Sequence, residues 1–308
     1  MWGSQFLGVK NNEATAKPGI FLRMEDKELK ALVSLLDDED AEILTHVEEK
    51  IISFGDTIIP FLEAQWESSF NPNVQKRIED IIHTLQYESL QAKLVQWYRS
   101  EEQDLLEGMW LIATYQYPDL TLEHLRKQLE QIYYEAWLEF KQDVHPFDQI
   151  KLLNSVLFSK LKFGANTKNF HAPANSMINI VLESKKGNPI SLCVIYLLVA
   201  QRLKLPVYGV NLPSLFILTY KADNIQFYIN AFNRGLIFSK QDIDNYISQL
   251  KLQPNDIFYQ PCGSVEIIRR MFRNLIVSFE KLDDFDKSEE IKKLLSLISD
   301  GKDSNISF

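Results

Sequence analysis

The chain has few cysteines, no long apolar run and no excess of positive charge. Two cysteines in 308 residues cannot build a disulfide framework, which favours a reducing compartment, and we expect the protein in the cytoplasm. No apolar run reaches the roughly 20 residues that a membrane-spanning helix needs, so we expect no membrane association. A formal net charge of -9 argues against nucleic acid as a partner, because phosphates attract a basic face.

Motifs for nucleotides and metals are also missing. Neither G-x-x-x-x-G-K nor G-x-G-x-x-G occurs, so a phosphate-binding loop is not indicated. The five histidines have no cysteine or carboxylate at a spacing typical of a metal site. We therefore predict no cofactor and no metal.

The most informative stretch of the sequence runs from Lys185 to Pro213. Asn188 followed by Pro189 predicts the start of a helix, because Asn caps free N–H groups and Pro has none to satisfy. From Ile190 to Leu203 nearly every residue is apolar or small, which predicts a helix buried on all sides. Pro206 cannot continue a helix and marks its end.

Strand-like runs follow this central helix directly. They are Val207–Leu212, Leu215–Lys221 and Gln226–Phe232. A buried helix followed by consecutive strands predicts an α+β fold, predominantly helical, in which the central helix packs on a small antiparallel sheet.

Helical modules are predicted at both ends of the chain. Apolar residues at three- and four-residue steps predict short helices over residues 25–86, which resemble HEAT-type pairs or an ordinary helical bundle. Within residues 74–99 we predict two separate helices, Val74–Leu85 and Tyr87–Arg99. Residues 87–252 are predicted to form the core domain.

Residues 253–300 are predicted to form a helical hairpin. Ser264 is expected to cap a helix over Val265–Leu282, and Lys287–Ser299 forms the second helix, each with one apolar stripe. The terminal segments 1–24 and 301–308 are predicted to be disordered tails, or the first is an upstream extension of a protein that starts at Met24.

Several motifs in this order resemble one known family. They are G-N-P-I-S-L-x-x-x-Y-L from Gly187, L-P-V-x-G-V-N-L-P from Leu205 and F-Y-I-N-x-F from Phe227, with further similarity over Asp104–Leu120, Asn175–Glu183 and Cys262–Leu282. Together they resemble the SirB1-type branch of the transglutaminase-like superfamily, over residues 104–299. The resemblance implies a papain-like α+β core and a C-terminal hairpin similar to a tetratricopeptide unit.

The resemblance also implies where catalytic residues would lie. The superfamily uses a Cys in the first turn of the central helix, a His on a following strand that takes its proton, and an Asp or Asn that orients the His. Here Pro189 occupies the position of the nucleophile, while Ser191 and Cys193 lie at the third and fifth helical positions. Leu215 occupies the position of the His, and Asn230 that of the third residue.

Cys193, His171 and Asn230 are therefore the candidate catalytic residues. His171 lies in the loop before the helix that is predicted to start at Asn175 or Ser176, and it is the remaining histidine that could act as a base. Each residue has an ordinary structural interpretation as well: Cys193 as a small core residue beyond the first turn, and His171 as a solvated loop residue.

Three functions follow from these observations. The leading hypothesis is a non-catalytic transglutaminase-like protein that binds other proteins, because the scaffold motifs surround empty catalytic positions. The alternative is a cysteine-dependent acyl transferase or amide hydrolase that uses Cys193. A third is a small-ligand site lined by aromatic residues of the helix and sheet, namely Tyr196, Tyr208, Phe216 and Tyr228.

A small basic face is predicted on the C-terminal hairpin. It consists of Arg269, Arg270 and Arg273. It is either a solvated edge or a contact for an acidic partner.

Overall fold

The computed structural model describes residues 26–222, 224–253 and 255–299, and the predicted tails lie outside them. The described residues fall into two compact units that divide between Ser89 and Leu90. The predicted boundaries of the modules inside these units remain predictions.

The first unit is helical and has its own core. Its helices are α1 (Asp26–Ser34), α2 (Ala41–Ile52), α3 (Ile59–Ser68) and the first part of α4 (Pro72–Arg99), with short 3-10 turns at Leu35–Asp37 and Asp56–Ile58. Buried residues from all of these helices form one cluster, which includes Leu36, Ile51, Leu62 and Ile78. The HEAT-type assignment of this unit stays a prediction.

The prediction of two helices over residues 74–99 was wrong, because α4 is one continuous helix of 28 residues. No Gly or Pro follows Pro72 in this segment, so nothing in the backbone interrupts the hydrogen bonds. Tyr87 and Glu88 simply extend the helix.

Helices surround a small sheet in the second unit. Beyond α4 they are α5 (Leu105–Thr114), α6 (Leu122–Glu139), α7 (Pro146–Asn154, followed by a π-helical segment Ser155–Lys160), α8 (Ile178–Ser184), α9 (Pro189–Arg202), α10 (Lys240–Gln249), α11 (Ser264–Glu280) and α12 (Phe285–Leu297). The α+β, predominantly helical fold class is confirmed.

The sheet has four antiparallel strands in chain order. They are β3 (Val207–Leu212), β4 (Leu215–Ala222), β5 (Ile225–Asn230) and β6 (Leu236–Phe238), and a separate parallel pair joins β1 (Gly164–Ala165) to β2 (Lys186–Gly187). Helix α9 packs against β3 and β4. Ile217 belongs to a cluster with Ile243 and Ile247 of α10, so both faces of β4 are covered.

Among the predicted element ends that were wrong, two are explained by local hydrogen bonds. The third strand ends at Asn230 and not at Phe232, because the Asn230 side chain accepts a hydrogen bond from the Asn233 backbone N–H and caps a short 3-10 turn. The residue that caps α11 is Gly263 and not Ser264. Its backbone N–H donates to the carboxylate of Glu266 at 3.0 Å.

Helices α11 and α12 pack against each other at the C-terminal end of the unit. The buried face of α11 includes Met271, Phe272 and Leu275, and that of α12 includes Ile291 and Leu294. Helix α11 also packs against α5 and α9, which places its other residues beside the start of the central helix. The likeness to a tetratricopeptide unit stays a prediction.

Candidate functional site

The N-terminus of α9 is held by a buried capping box. The side-chain oxygen of Asn188 accepts from the Ser191 N–H at 2.8 Å, and the Ser191 hydroxyl oxygen accepts from the Asn188 N–H at 3.0 Å. The Asn188 amide also donates to the Ser176 hydroxyl at 3.0 Å. Pro189 occupies the first helical position, so the sequence-based start of the central helix is confirmed.

A cavity of about 140 Å³ lies at this end of α9. It is formed by the loop before α8, the first residues of α9, the β3–β4 turn with the start of β4, and one face of α11. Its lining residues are Phe170, His171, Asn188, Pro189, Ile190, Ser214, Phe216, Arg270, Asn274, Val277 and Ser278.

The charged groups around the cavity are cationic. Arg270 is half-buried, and burial lowers the pKa of its guanidinium, as does the neighbouring Arg273, whereas Tyr246 raises it. His171 lies at the exposed rim, where its Nε2 atom is 2.8 Å from the Nζ atom of Lys281. The cavity therefore offers hydrogen-bond donors and positive charge in a chain that is acidic as a whole.

A comparison with protein families bears on this site. Residues 123–273 match the model of the transglutaminase-like superfamily. The chain carries a transglutaminase-like domain. The match includes α9, the four-stranded sheet and the first part of α11, and thus most of the residues that line the cavity.

Curated relatives are similar over parts of the chain. A UPF0162 protein of Xylella fastidiosa strain Temecula1 is 28% identical over 209 residues, which is 60% of this chain and 68% of that protein. A UPF0162 protein of strain 9a5c is 35% identical over 142 residues, or 42% of this chain and 47% of that protein. F-box only protein 21 of Mus musculus is 29% identical over 147 residues, or 45% of this chain and 23% of that protein. No solved structure gave a significant match.

Within the transglutaminase-like domain, Cys193 lies in the core and not on the cavity wall. Its side chain is fully buried, and its sulfur lies 3.6 Å from the carbonyl oxygen of Phe216. Burial raises the pKa of the Cys193 thiol far above its ordinary value, and contact with the backbone of Ala231 offsets this only in part. A thiol in this position stays protonated at neutral pH.

The other two candidate residues have partners of their own. His171 contacts Lys281, and the Asn230 side chain caps the turn that ends β5. His171 lines the cavity, whereas Cys193 and Asn230 are not among the lining residues. In the described part of the chain, no hydrogen bond joins any two of these three residues.

Leu215, the residue at the implied position of the base, packs away from the cavity. It contacts the apolar cluster beneath α10, while its neighbours Ser214 and Phe216 line the cavity. This alternation is that of a β-strand, in which successive side chains point to opposite faces.

The four aromatic residues that were predicted to line a ligand site have separate neighbours. The ring centroids of Tyr196 and Phe158 lie 6.2 Å apart, and those of Tyr228 and Phe238 lie 6.0 Å apart. The Tyr208 side chain is 40% exposed on β3, and Phe216 lines the cavity described above. Of these four residues, only Phe216 lines the cavity at the start of α9.

The polar face of α11 was only partly recognised from the sequence. Arg270, Asn274 and Ser278 follow one another at four-residue steps, so they share one face of the helix, and all three line the cavity. The arginine was noted as part of a basic face, but Asn274 and Ser278 were missed. Among the described residues, no group of His, Cys, Asp or Glu is arranged to hold a metal, and no helix is long and apolar enough to span a membrane.

Proposed function

We propose that this protein is a non-catalytic transglutaminase-like protein that acts as a protein-interaction module. The observation that carries the proposal is the start of α9, where Pro189 faces the cavity in place of a nucleophile. The nearest sulfur along the helix is that of Cys193, which is buried and protonated. With a proline at the first helical position, the cavity can bind a partner but offers no first-turn cysteine to form an acyl intermediate.

Exposed apolar side chains support a binding role. Tyr134, Trp137 and Leu138 are between 52% and 70% exposed near the end of α6, at three- and four-residue spacing on one face of the helix. Leu282 and Phe285, at the turn between α11 and α12, are each 60% exposed. Contiguous apolar surface of this kind is typical of protein–protein contact sites.

Both cysteines are free thiols, which fits the proposed cytoplasmic location. We propose protein partners and neither nucleic acid nor membrane as the class of ligand. The net charge of -9 supports the exclusion of polyanions.

The alternative is a cysteine-dependent acyl transferase or amide hydrolase that uses Cys193. One observation favours it: His171 lines the cavity beside Pro189, at the end of α9 where the superfamily's chemistry takes place. It requires a rearrangement that exposes the Cys193 sulfur and moves it towards the imidazole of His171.

Alkylation with iodoacetamide separates the two functions. In the native protein we expect Cys193 to remain unmodified at neutral pH, and to react only on unfolding, because its thiol is buried and protonated. Rapid modification of Cys193 in the folded protein, faster than that of the half-buried Cys262, would establish a reactive thiol and contradict the proposal.

Co-purification from the protein's own cells tests the binding role. Wild type and Cys193→Ala are expected to retain the same specific partners, whereas Trp137→Ser combined with Leu138→Ser loses those that contact this face of α6. Absence of any specific partner from the wild-type sample would remove the main support for an interaction module.

A further inference from the structure

The size of the cavity at the start of α9 restricts what can occupy it. Its volume of about 140 Å³ is well below the roughly 300–1,000 Å³ of ordinary small-molecule sites. A single side chain of a partner fits such a space, whereas a nucleotide or a large cofactor does not.

The polar lining of the cavity favours an acceptor. Arg270 has only N–H donors, and the side chains of Asn274 and Ser214 add an amide and a hydroxyl donor on the same walls, whereas the Ser278 hydroxyl donates to the Asn274 backbone carbonyl at 2.8 Å. Lys281, in contact with His171, adds positive charge at the rim. A carboxylate accepts from several donors at once, and its hydrogen bonds to an arginine are among the strong ones.

The surroundings of the Arg270 guanidinium point in the same direction. The half-buried guanidinium lies beside Arg273, and both burial and this like charge lower its pKa. An anion that enters the cavity would offset both effects, because an opposite charge within a few ångströms favours the charged form.

The rim adds a second element of recognition. Phe170 and Val277, 43% and 44% exposed, line the cavity on opposite segments of the chain, one in the loop before α8 and one on α11. A side chain that enters the cavity therefore brings its neighbours in the partner's sequence against apolar surface.

We propose that this cavity binds an Asp or Glu side chain of a partner protein, from an acidic segment in which apolar residues flank the carboxylate. The inference rests on the proposed interaction function and names the site and the chemistry of the partner. The positive charge of the cavity and its small size favour an acidic peptide over other occupants.

The experiment selects ligands from a random short-peptide library displayed on phage, with the full-length protein immobilised. Arg270→Gln is the test variant, and Arg202→Gln is the control. Arg202 lies at the opposite end of α9, about 20 Å away along the helix, so both variants lose one charge but only one changes the cavity. Thermal unfolding checks that each variant folds, and Arg270→Lys keeps the charge if Arg270→Gln does not fold.

We expect the wild type and Arg202→Gln to select peptides that contain Asp or Glu beside apolar residues. In anisotropy titrations with the selected peptides, Arg270→Gln is expected to raise Kd about tenfold or more. Exchange of the peptide's Glu for Gln should do the same, and the two changes together should cost no more than either alone, since they remove one interaction. Acetate should displace the peptide at least as well as inorganic phosphate at equal ionic strength.

Other outcomes separate the two proposals. Peptides that bind wild type and Arg270→Gln equally, or no selected peptide at all, would overturn the cavity as the site, and the co-purification described above then decides the interaction function on its own. Stronger displacement by phosphate than by acetate would overturn the carboxylate assignment. A mass change of the bound peptide would refute the non-catalytic function and leave the effect of Arg270→Gln intact.

Discussion

Removal of the side chain that caps α9 tests whether the central helix depends on its buried N-terminus. Asn188 is 6% exposed and makes two kinds of contact: its oxygen caps the helix at the Ser191 N–H, and its amide donates to the Ser176 hydroxyl. Asn188→Ala removes both. Loss of an N-cap costs about 1 kcal/mol, within a range of roughly 0.5–2.

The second contact adds to this cost because of where it lies. Ser176 is fully buried, so its hydroxyl loses the Asn188 amide as a partner inside the protein, which costs about 1–3 kcal/mol. We therefore expect Asn188→Ala to lower the free energy of unfolding of the second unit by about 2–4 kcal/mol. Asn188→Ser can keep the cap and loses mainly the contact with Ser176, so it should be intermediate.

A matched control lies in the same unit. Ser239 caps α10 in a capping box of the same form with Asp242, but this box is exposed. Ser239→Ala should cost only about 1 kcal/mol. Urea unfolding followed by tryptophan fluorescence and by circular dichroism measures all three variants. Equal losses for Asn188→Ala and Ser239→Ala would refute the argument that the cap of α9 is coupled to a buried hydrogen bond.

Three further predictions concern the cavity, a titrating tyrosine and a backbone turn. Pro189→Cys should place a thiol on the cavity wall in the first turn of α9, where the helix N-terminus favours the thiolate. The new cysteine should therefore react with iodoacetamide faster than either native cysteine. A slow reaction would contradict the position of Pro189 on the cavity wall. The hydrogen bond to Asp244 raises the pKa of Tyr259 to about 12, so its contribution to stability is present below pH about 10 and is lost as pH rises through about 12. In a near-ultraviolet titration, Asp244→Asn should lower the pKa of Tyr259 towards its ordinary value. An unchanged titration would refute the assignment. Gly235 has a φ of +76°, and a β-carbon there would overlap the side chain of Asn154. Gly235→Ala should therefore lower the free energy of unfolding, measured in urea, by about 2–4 kcal/mol. An unchanged midpoint of urea unfolding would contradict the geometry.

The central helix and the first two strands of the sheet could be predicted from the sequence because their signals are local. Asn188-Pro189 defines one end of α9 and Pro206 stops its continuation, and the apolar residues between them have no polar side to expose. Strand β3 was predicted with its observed ends, and β4 is one residue longer than predicted. Local chemistry settles these elements without knowledge of the fold.

Tertiary contacts decide the features that were missed. Strand β6 has only three residues, and it exists because it pairs with β5 through contacts such as Tyr228 with Phe238. The cavity is likewise invisible in the sequence, since residues 171, 189, 214 and 270 meet only after folding. The resemblance located the implied positions along the chain, but it did not show that Leu215 turns towards α10 while Ser214 and Phe216 turn to the cavity.

The start of α9 also shows that the stability of this helix does not depend on a reactive side chain in its first turn. Pro189 satisfies the first helical position, and the capping contacts of Asn188 and Ser191 need no reactive group. The stability of α9 and the chemistry of its first turn are therefore separate properties. Arg270 is a different case, because burial and the neighbouring Arg273 lower the pKa of its half-buried guanidinium on the cavity wall. Ionisable groups with shifted pKa values cluster at functional sites, and this is a reason to look for an acidic ligand beside Arg270.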